Sequence, residues 1–440
     1  MIKKSEADSY GIAITDGKSR LETDREELRK KLHELMPCLV NTDGCMDIKA
    51  LRDVVDTANS TSDDQGYELT FAGKGLARAE ADRPTGYELK AEWSQSKNFD
   101  STGNAVIRGD NLDVLKILYQ NYFGKVKMIY IDPPYNTKSE NFVYKDDFKQ
   151  SDASLIAQFG MKEETADFLH NVFGTRSHSG WLAFMYPRLK LARSLLTDDG
   201  VLLVQIDYNE SHSLKLILDE IFGENNFKEE IIWEYRTGGM PTKSNCFGKK
   251  HDTIFAYSKQ SSSYQFDNKS LKERIYYEND FFGCNTDTEG RFYFDVNIRD
   301  IVGGEINTVE NGHVKTMNVK PLINVSNERI DGFKTQKPSE LIKFLTKFYL
   351  KSDEHQIILD FFAGTGTTGD AIMQLNAEDG GNRKFILVQS DEEIEPEQSS
   401  KTHQFCADNN IEPVISSITL ERLNRAGEKI EGGGGVSLRT

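Results

Sequence analysis

The chain has 440 residues, enough for two or three domains at roughly 150 residues each. Apolar residues make up 38% and charged residues 28%, and no apolar run approaches the roughly 20 residues of a membrane span, so the expected class is a globular protein without membrane helices. The net charge of −16 lends no compositional support to a polyanionic partner, so any case for nucleic acid has to rest on local chemistry.

The first residues, MIKKSEADSY, lack the apolar segment of a secretion signal. Residues 1–65 are expected to be helical, because Leu21, Leu28, Leu32 and Leu35 recur at helical spacing among charges. The polar stretch NSTSDDQG (59–66) reads as a linker, and YELTFAGKGLARAEADRPTGYELK predicts little. From 104 the pattern alternates. NAVIRGD (104–110) reads as a strand, NLDVLKILYQNYF as a helix and KVKMIYID (125–132) as a strand. WLAFMYPRLKLARSLL (181–196) reads as a helix containing a proline, GVLLVQID (200–207) as a buried strand and SLKLILDEIFG (213–223) as a helix ending at a glycine. EIIWEYR (230–236) and DTIFAYSK (252–259) are expected as antiparallel edge strands. Strands alternating with helices predict a doubly wound α/β sheet.

Residues 260–335 lose the helical period and are rich in aromatics, Asn, Asp and Gly, so short strands and loops of an inserted module are expected there. The alternation returns with PSELIKFLTKFYLK as a helix, QIILDFF as a strand, a Gly/Thr turn, TGDAIMQLN as a helix and KFILVQSD as a strand. SITLERLNRAGEKI is a last helix, and residues 431–440 a flexible tail. Five cysteines (Cys38, Cys45, Cys246, Cys284, Cys406) have no CxxC spacing and no histidine at ligand spacing. They are read as free thiols in a reducing cytoplasm, with neither a disulfide framework nor a metal site.

IDPPYN (131–136) follows the apolar run VKMIY directly. Two prolines cannot continue a central strand, because they have no N–H to donate and their φ is fixed. Pairing is therefore expected to stop at Asp132, with Pro133 and Pro134 stiffening a loop that projects Tyr135 and Asn136. The bland reading of Asp132 is a turn cap. A second informative stretch is ILDFFAGTGTTGDAI (358–372), in which a strand ends in Asp360, a turn carries Gly364, Gly366 and Gly369, and a helix follows. Such a turn brings backbone close to a ligand and aims a helix N-terminus at it, so a nucleotide-like cofactor is one reading and a tight, Thr-capped turn the other. A side chain at Gly366 is expected to fill the ligand's approach. The next strand ends in Gln389, Asp391 and Glu392, which suit a ribose. Asp360 favours S-adenosylmethionine over a dinucleotide, since an acid suits a methionine amino group and not a pyrophosphate.

The two loops explain each other if the substrate is an exocyclic amine on a base. Its lone pair is delocalised into the ring. The Asp132 carboxylate and the Pro133 carbonyl, accepting both amine hydrogens, favour a pyramidal nitrogen, while Tyr135 stacks on the base. A base inside a duplex has to be flipped out to reach such a pocket.

DPPY paired with FAGTG resembles the amino-group DNA methyltransferases that use S-adenosylmethionine, in the β-type order with DPPY before the glycine block. GYELTFAGKGLARAEA (66–81), RGDNLDVLKILYQNYFGKVKMIYIDPPYNT (108–137), YKDDF (144–148), WLAFMYPRLKLARSLLTDDG (181–200), HDTIFAYSK (251–259) and FKTQKPSELI (333–342) resemble modification subunits of type III restriction systems. The resemblance implies a Rossmann-like, circularly permuted methyltransferase fold. Its catalytic half would span 66–259, a target-recognition module 260–335 and a cofactor-binding half 336–430. It implies methylation of the 6-amino group of adenine in double-stranded DNA, a homodimer, and a restriction subunit as partner. Carried over by position, Asp132, Pro133, Pro134 and Tyr135 form the catalytic loop. Asp110, Asn111, Lys337, Pro338, Asp360, Phe362, Ala363, Gly364, Gly366, Thr367 and Gln389 lie at the cofactor. Many relatives carry an acid where Gln389 stands, so Asp391 or Glu392 is the alternative ribose contact. Cytosine-specific members usually carry serine in place of Asp132. RNA or cytosine as substrate, or a non-catalytic DNA-binding partner, are the other readings. Asp146 and Asp147, with Phe142 and Tyr144, are candidate substrate contacts or plain loop. Lys249, Lys250 and His251 are surface charge or a phosphate contact, and Trp181 and Tyr186 are read as core.

Overall fold

The computed structural model describes residues 69–137, 178–234, 248–322 and 336–431, apart from 268–270, 281–282, 311, 353 and 397–398, together with Glu27, Lys30 and Lys31. The expected N-terminal helix, the 59–66 linker, Asp146 and Asp147 with Phe142 and Tyr144, and the tail beyond Glu431 lie outside the described residues, as do Cys38, Cys45 and Cys246.

In chain order the described strands are β1 (Ala105–Arg108), β2 (Val126–Ile131), β3 (Leu196–Ile206), β4 (Phe227–Glu234), β5 (His251–Ser258), β6 (Leu271–Tyr277), β7 (Asn285–Thr286), β8 (Phe292–Val296), β9 (Ile301–Gly303), β10 (Glu305–Glu310), β11 (His313–Asn318), β12 (Ile357–Asp360) and β13 (Lys384–Gln389). The described α-helices are α1 (Lys74–Asp82), α2 (Asn111–Tyr122), α3 (His178–Leu195), α4 (Ser211–Phe222), α5 (Ser339–Thr346), α6 (Thr367–Asp379), α7 (Ser400–Asp408) and α8 (Ile415–Glu431).

Eight strands form one sheet in the order β1-β13-β12-β2-β3-β5-β4-β9. The first five are parallel, and β5 runs antiparallel between β3 and β4. A central parallel strand is covered on both faces, which is why β2 is an unbroken VKMIYI with every residue buried. Alternate side chains then enter opposite layers. Ile129, Ile131, Leu202 and Val204 pack with α1, α2, α3 and α4. Met128, Tyr130, Val201 and Leu203 pack with α5, α6 and α8. The result is a three-layer α/β/α sandwich.

The strands at 227–234 and 251–258 are antiparallel as expected, but neither is the sheet edge. β5 is flanked by β3 and β4, and β9 covers β4 through the pairs Ile232↔Ile301 and Trp233↔Val302. The 260–335 segment therefore contributes a strand to the main sheet, while β11-β10-β6-β8-β7 form a second, five-stranded sheet. Its Ile306 and Met317, with Val319 just beyond β11, pack into the same apolar layer as α5 and α6.

From β12 the chain crosses through α6 to β13 on one side. From β2 it crosses through α3 to β3 on the other. The crossovers use opposite faces, so the carboxyl ends of β12 and β2 part around a crevice at the topological switch point. The loop after β2 is DPPY and the loop after β12 is the glycine turn.

Candidate active site at the carboxyl ends of the parallel strands

Pairing of Leu359 with Ile129 sets Asp360 level with Tyr130, two residues short of Asp132. The Asp132 side chain is about one fifth exposed. Its Oδ1 accepts the Tyr135 hydroxyl at 2.5 Å, and its Oδ2 is ion-paired with the Lys337 ammonium. Burial raises the Asp132 carboxyl above its ordinary range, while Lys337 and Tyr135 pull it back down. Lys337 also lies 5.2 Å from the centre of the Tyr135 ring, and its backbone carbonyl accepts the Thr367 hydroxyl at 3.4 Å. One residue of the TQKP element thus ties the DPPY loop to the glycine turn. Pro338 follows it as the cap of α5.

The prolines act as their chemistry suggests. β2 ends at Ile131, Pro133 is buried, and the Pro134 carbonyl accepts the Trp181 indole N–H at 2.8 Å. Trp181 and Tyr186 are buried, so they are core, and Trp181 fixes the loop as well. Asn136 has φ +59°, a left-handed conformation that asparagine tolerates better than most residues. Its amide donates to Glu210 at 2.6 Å, and the fully buried Glu210 carboxylate also faces His178 Nδ1 at 2.9 Å. Glu210 pins the far end of the loop, and the linear sequence gave no sign of it.

On the glycine side, Asp360 is 4% exposed. Its Oδ1 accepts the Phe362 N–H at 3.0 Å and its Oδ2 the Thr368 hydroxyl at 2.6 Å. Burial raises its carboxyl to about 7 against these two donors, and Asp132 adds to the rise. Phe362 is half-buried against Phe184 at 6.0 Å, and Ala363 is held by its N–H to the Val388 carbonyl at 3.1 Å. The Gln389 carboxamide oxygen accepts the Gly364 N–H at 2.7 Å, so it braces the turn. Asp391 pairs with Arg108 at 2.9 Å, and Glu392 accepts the Ser390 hydroxyl at 2.8 Å.

Asp110 caps α2 by accepting the N–H groups of Leu112 and Asp113 at 2.8 and 3.2 Å, an arrangement that contributes about 1 kcal/mol. It lines a cavity of about 450 Å³ with Tyr87, Leu89, Arg108 and Asp113. Asn111 bridges the strand ends, its amide donating to the Phe361 carbonyl at 2.9 Å while its oxygen accepts Arg188 Nε at 2.6 Å. The DPPY loop, Lys337 and the glycine turn meet at the carboxyl ends of the central strands, and Asn111 reaches them through the Phe361 carbonyl, whereas Gly369 lies inside α6 against Leu387 and Leu423. Lys249 lies on the same rim, 5.1 Å from the ring of the exposed Tyr208, because β5 starts where β3 ends.

The two central glycines differ in what surrounds them. Gly364, at φ +52°, would aim a side chain at nothing nearer than the Phe362 carbonyl at 3.9 Å, so there is room beside it. Gly366, at φ +80°, would meet Thr419 at 3.1 Å and Leu423 at 3.4 Å on α8. Beside the expectation that a side chain at 366 fills the ligand's approach, the structure gives a second reason for glycine there: α8 packs against it and the backbone is left-handed. A Gly366→Val chain should lose about 3 kcal/mol of stability in urea denaturation, from overpacking and backbone strain together. Unchanged stability with lost cofactor affinity would leave only the first reason.

Residues 126–399 match the N6/N4 family described as DNA methylase. Over 83% of its length the chain is 31% identical to the type III restriction-modification enzyme StyLTI Mod subunit of Salmonella typhimurium, and the match spans 63% of that protein. It is 28% identical over 93% of its length to the EcoP15I Mod subunit of Escherichia coli, covering 77% of it. It is 30% identical over 74% of its length to the type II methyltransferase M.KpnI of Klebsiella pneumoniae, covering 88% of it.

Proposed function

Because the chain belongs to the DNA methylase family, we propose that it transfers a methyl group from S-adenosylmethionine to the 6-amino group of an adenine flipped out of duplex DNA. The observation that carries this reading is the meeting of the Asp132 loop and the glycine turn across one crevice, joined by Lys337. The glycine turn fits the cofactor. Gly364 has room beside it, α6 starts without a side-chain cap on its first N–H groups, and the Asp360 carboxyl suits an ammonium group. Asn111, Phe362, Ala363 and Thr367 complete the wall. When bound, S-adenosylmethionine supplies an electrophilic methyl group on its sulfonium.

The chain's own residues do the rest. The Asp132 carboxylate and the Pro133 carbonyl accept the two N–H groups of the target amine, and the Tyr135 ring holds the base plane. An acid rather than a serine at 132 supports adenine over cytosine. The 260–335 sheet is the target-recognition module in this reading, through base edges in the major groove. The proposed setting is the cytoplasm, with a second copy and a restriction subunit as protein partners.

Labelled S-adenosylmethionine and mixed genomic DNA, followed by nucleoside analysis, test this. Label on N6-methyladenine supports the reading. Label on N4-methylcytosine overturns the base, and no transfer by a chain that binds cofactor overturns the activity. The Asp360 carboxyl adds a second expectation. It titrates near 7, and only its ionised form attracts an ammonium, so affinity falls as pH falls through 7. Calorimetry should show cofactor binding weakened by up to about tenfold from pH 7 to pH 6, a dependence that Asp360→Asn removes.

A further inference from the structure

A second carboxylate reaches the DPPY loop from another strand. Asp252 stands near the start of β5 and is 2% exposed. Its Oδ2 lies 3.0 Å from the Tyr135 hydroxyl oxygen, which in turn lies 2.5 Å from Asp132 Oδ1. The same Oδ2 accepts the Gln205 amide N–H at 2.8 Å. Gln205 is fully buried, and its oxygen takes the Tyr130 hydroxyl hydrogen at 2.6 Å, which fixes the amide nitrogen toward Asp252. Register explains the placement: Ile206 pairs with Thr253, so the end of β3 and the start of β5 lie side by side next to β2.

The phenol has one hydrogen and two carboxylates within reach. Burial and those two charges hold the Tyr135 hydroxyl well above its ordinary titration range, so it keeps that hydrogen. In this structure the shorter contact is to Asp132, whose other oxygen is paired with Lys337. Both oxygens of the acid that has to receive the target amine are therefore engaged. A turn of the hydroxyl about its C–O bond moves the hydrogen to Asp252 without displacing a heavy atom.

We propose that Asp252 is a positioning residue of the methyl-transfer site: it takes the Tyr135 hydroxyl hydrogen and so releases Asp132 Oδ1 to accept an N–H of the target amine. The proposal rests on the reading of Asp132 as the amine acceptor. No covalent bond forms or breaks in this step. The Lys337 pair holds Oδ2, and the Asp252 alternative opens Oδ1.

The test is a double-mutant cycle on the full chain, with tritiated S-adenosylmethionine and mixed genomic DNA. Asp252→Asn keeps the size and removes the charge that draws the hydrogen away. It should lower kcat by about tenfold or more, with cofactor affinity and the KM for DNA within about twofold of wild type. In a Tyr135→Phe background there is no hydroxyl to redirect, so the same substitution should change kcat by less than about twofold. An equal loss in both backgrounds, or full kcat in Asp252→Asn, overturns the proposal. If Asp252→Asn does not fold, Asp252→Ala, which also removes the charge that draws the hydrogen away, has to show the same dependence on the Tyr135 hydroxyl. Equal losses for Asp252→Ala in both backgrounds overturn the proposal too. A wild-type chain that transfers no methyl overturns the functional reading with it, whereas transfer by wild type and an additive cycle overturn this proposal alone.

Discussion

Replacing Asp132 by alanine should leave a folded chain that binds cofactor and has lost methyl transfer by at least about a thousandfold in kcat. Burial already holds this carboxyl above its ordinary range, so removing it takes away a charge that the fold accommodates at a cost. The Tyr135 hydroxyl still has Asp252 at 3.0 Å, while the Lys337 ammonium, on a side chain 11% exposed, loses its ion pair and keeps the Tyr135 ring 5.2 Å away, so the chain folds with some loss of stability. Asp360 also loses a neighbouring negative charge, so its carboxyl should ionise more readily and cofactor affinity should hold or improve. What alanine cannot do is accept a hydrogen from an amine whose lone pair is tied up in the base. Asp132→Asn separates the two contributions. Its carbonyl still accepts, as a neutral group giving about half the strength of a charged acceptor, so its kcat should fall between wild type and alanine. Single-turnover methylation at saturating cofactor is the measurement. Activity near wild type in the alanine chain would remove Asp132 from the chemistry.

The parts of this site that were legible in the sequence are those whose chemistry is local. VKMIYI reads as a strand because a covered parallel strand is apolar on both faces, and IDPPYN reads as its end because prolines cannot pair. The glycine turn is legible because it sits between a strand and a helix. A residue whose role depends on a partner far along the chain is not legible in this way. Asp252 meets Tyr135 across 117 residues and Glu210 meets Asn136 across 74, and neither shows a local signature. Strand β9 is three residues long, too short for any alternation to appear, yet it covers the strand expected at the sheet edge. Helix α1 lies in a stretch that predicted little, since only Leu76, Ala77 and Ala81 mark its apolar face. Gly366 stands out in the sequence as part of the glycine block, but the packing of Thr419 and Leu423 against it is visible only in the fold.

The same limit hides Arg422, whose substitution should cause the largest loss of stability. It sits on α8, 4% exposed, and reads in the sequence as one more charge in SITLERLNRAGEKI. Its Nε and Nη2 both donate to Asp370 Oδ2 at 3.1 Å, and its Nη1 donates to the hydroxyls of Thr365 and Thr367 at 2.9 and 2.7 Å. One guanidinium fork thus holds the glycine turn and the first turn of the helix that follows it. Thr419 on the same face of α8 donates its hydroxyl to the Gly364 carbonyl at 2.5 Å. Arg422→Met fills much of the volume but leaves the Asp370 carboxylate buried with only Gln374 to donate to it among its remaining side-chain contacts described, at 2.8 Å. An uncompensated buried charge of this kind costs about 3–5 kcal/mol, so the midpoint in urea should fall steeply. Cofactor affinity, measured well below that midpoint, should also fall, because Thr365 and Thr367 lose the group that orients them. Asp370→Asn added to Arg422→Met removes the stranded charge and should restore part of the stability while leaving the affinity low. Restored affinity in the double variant would mean that the turn is shaped by charge balance alone. A single variant that loses less than about 1 kcal/mol would mean that the turn holds its shape without α8, and α8 would then be packing against the glycine turn rather than bracing it.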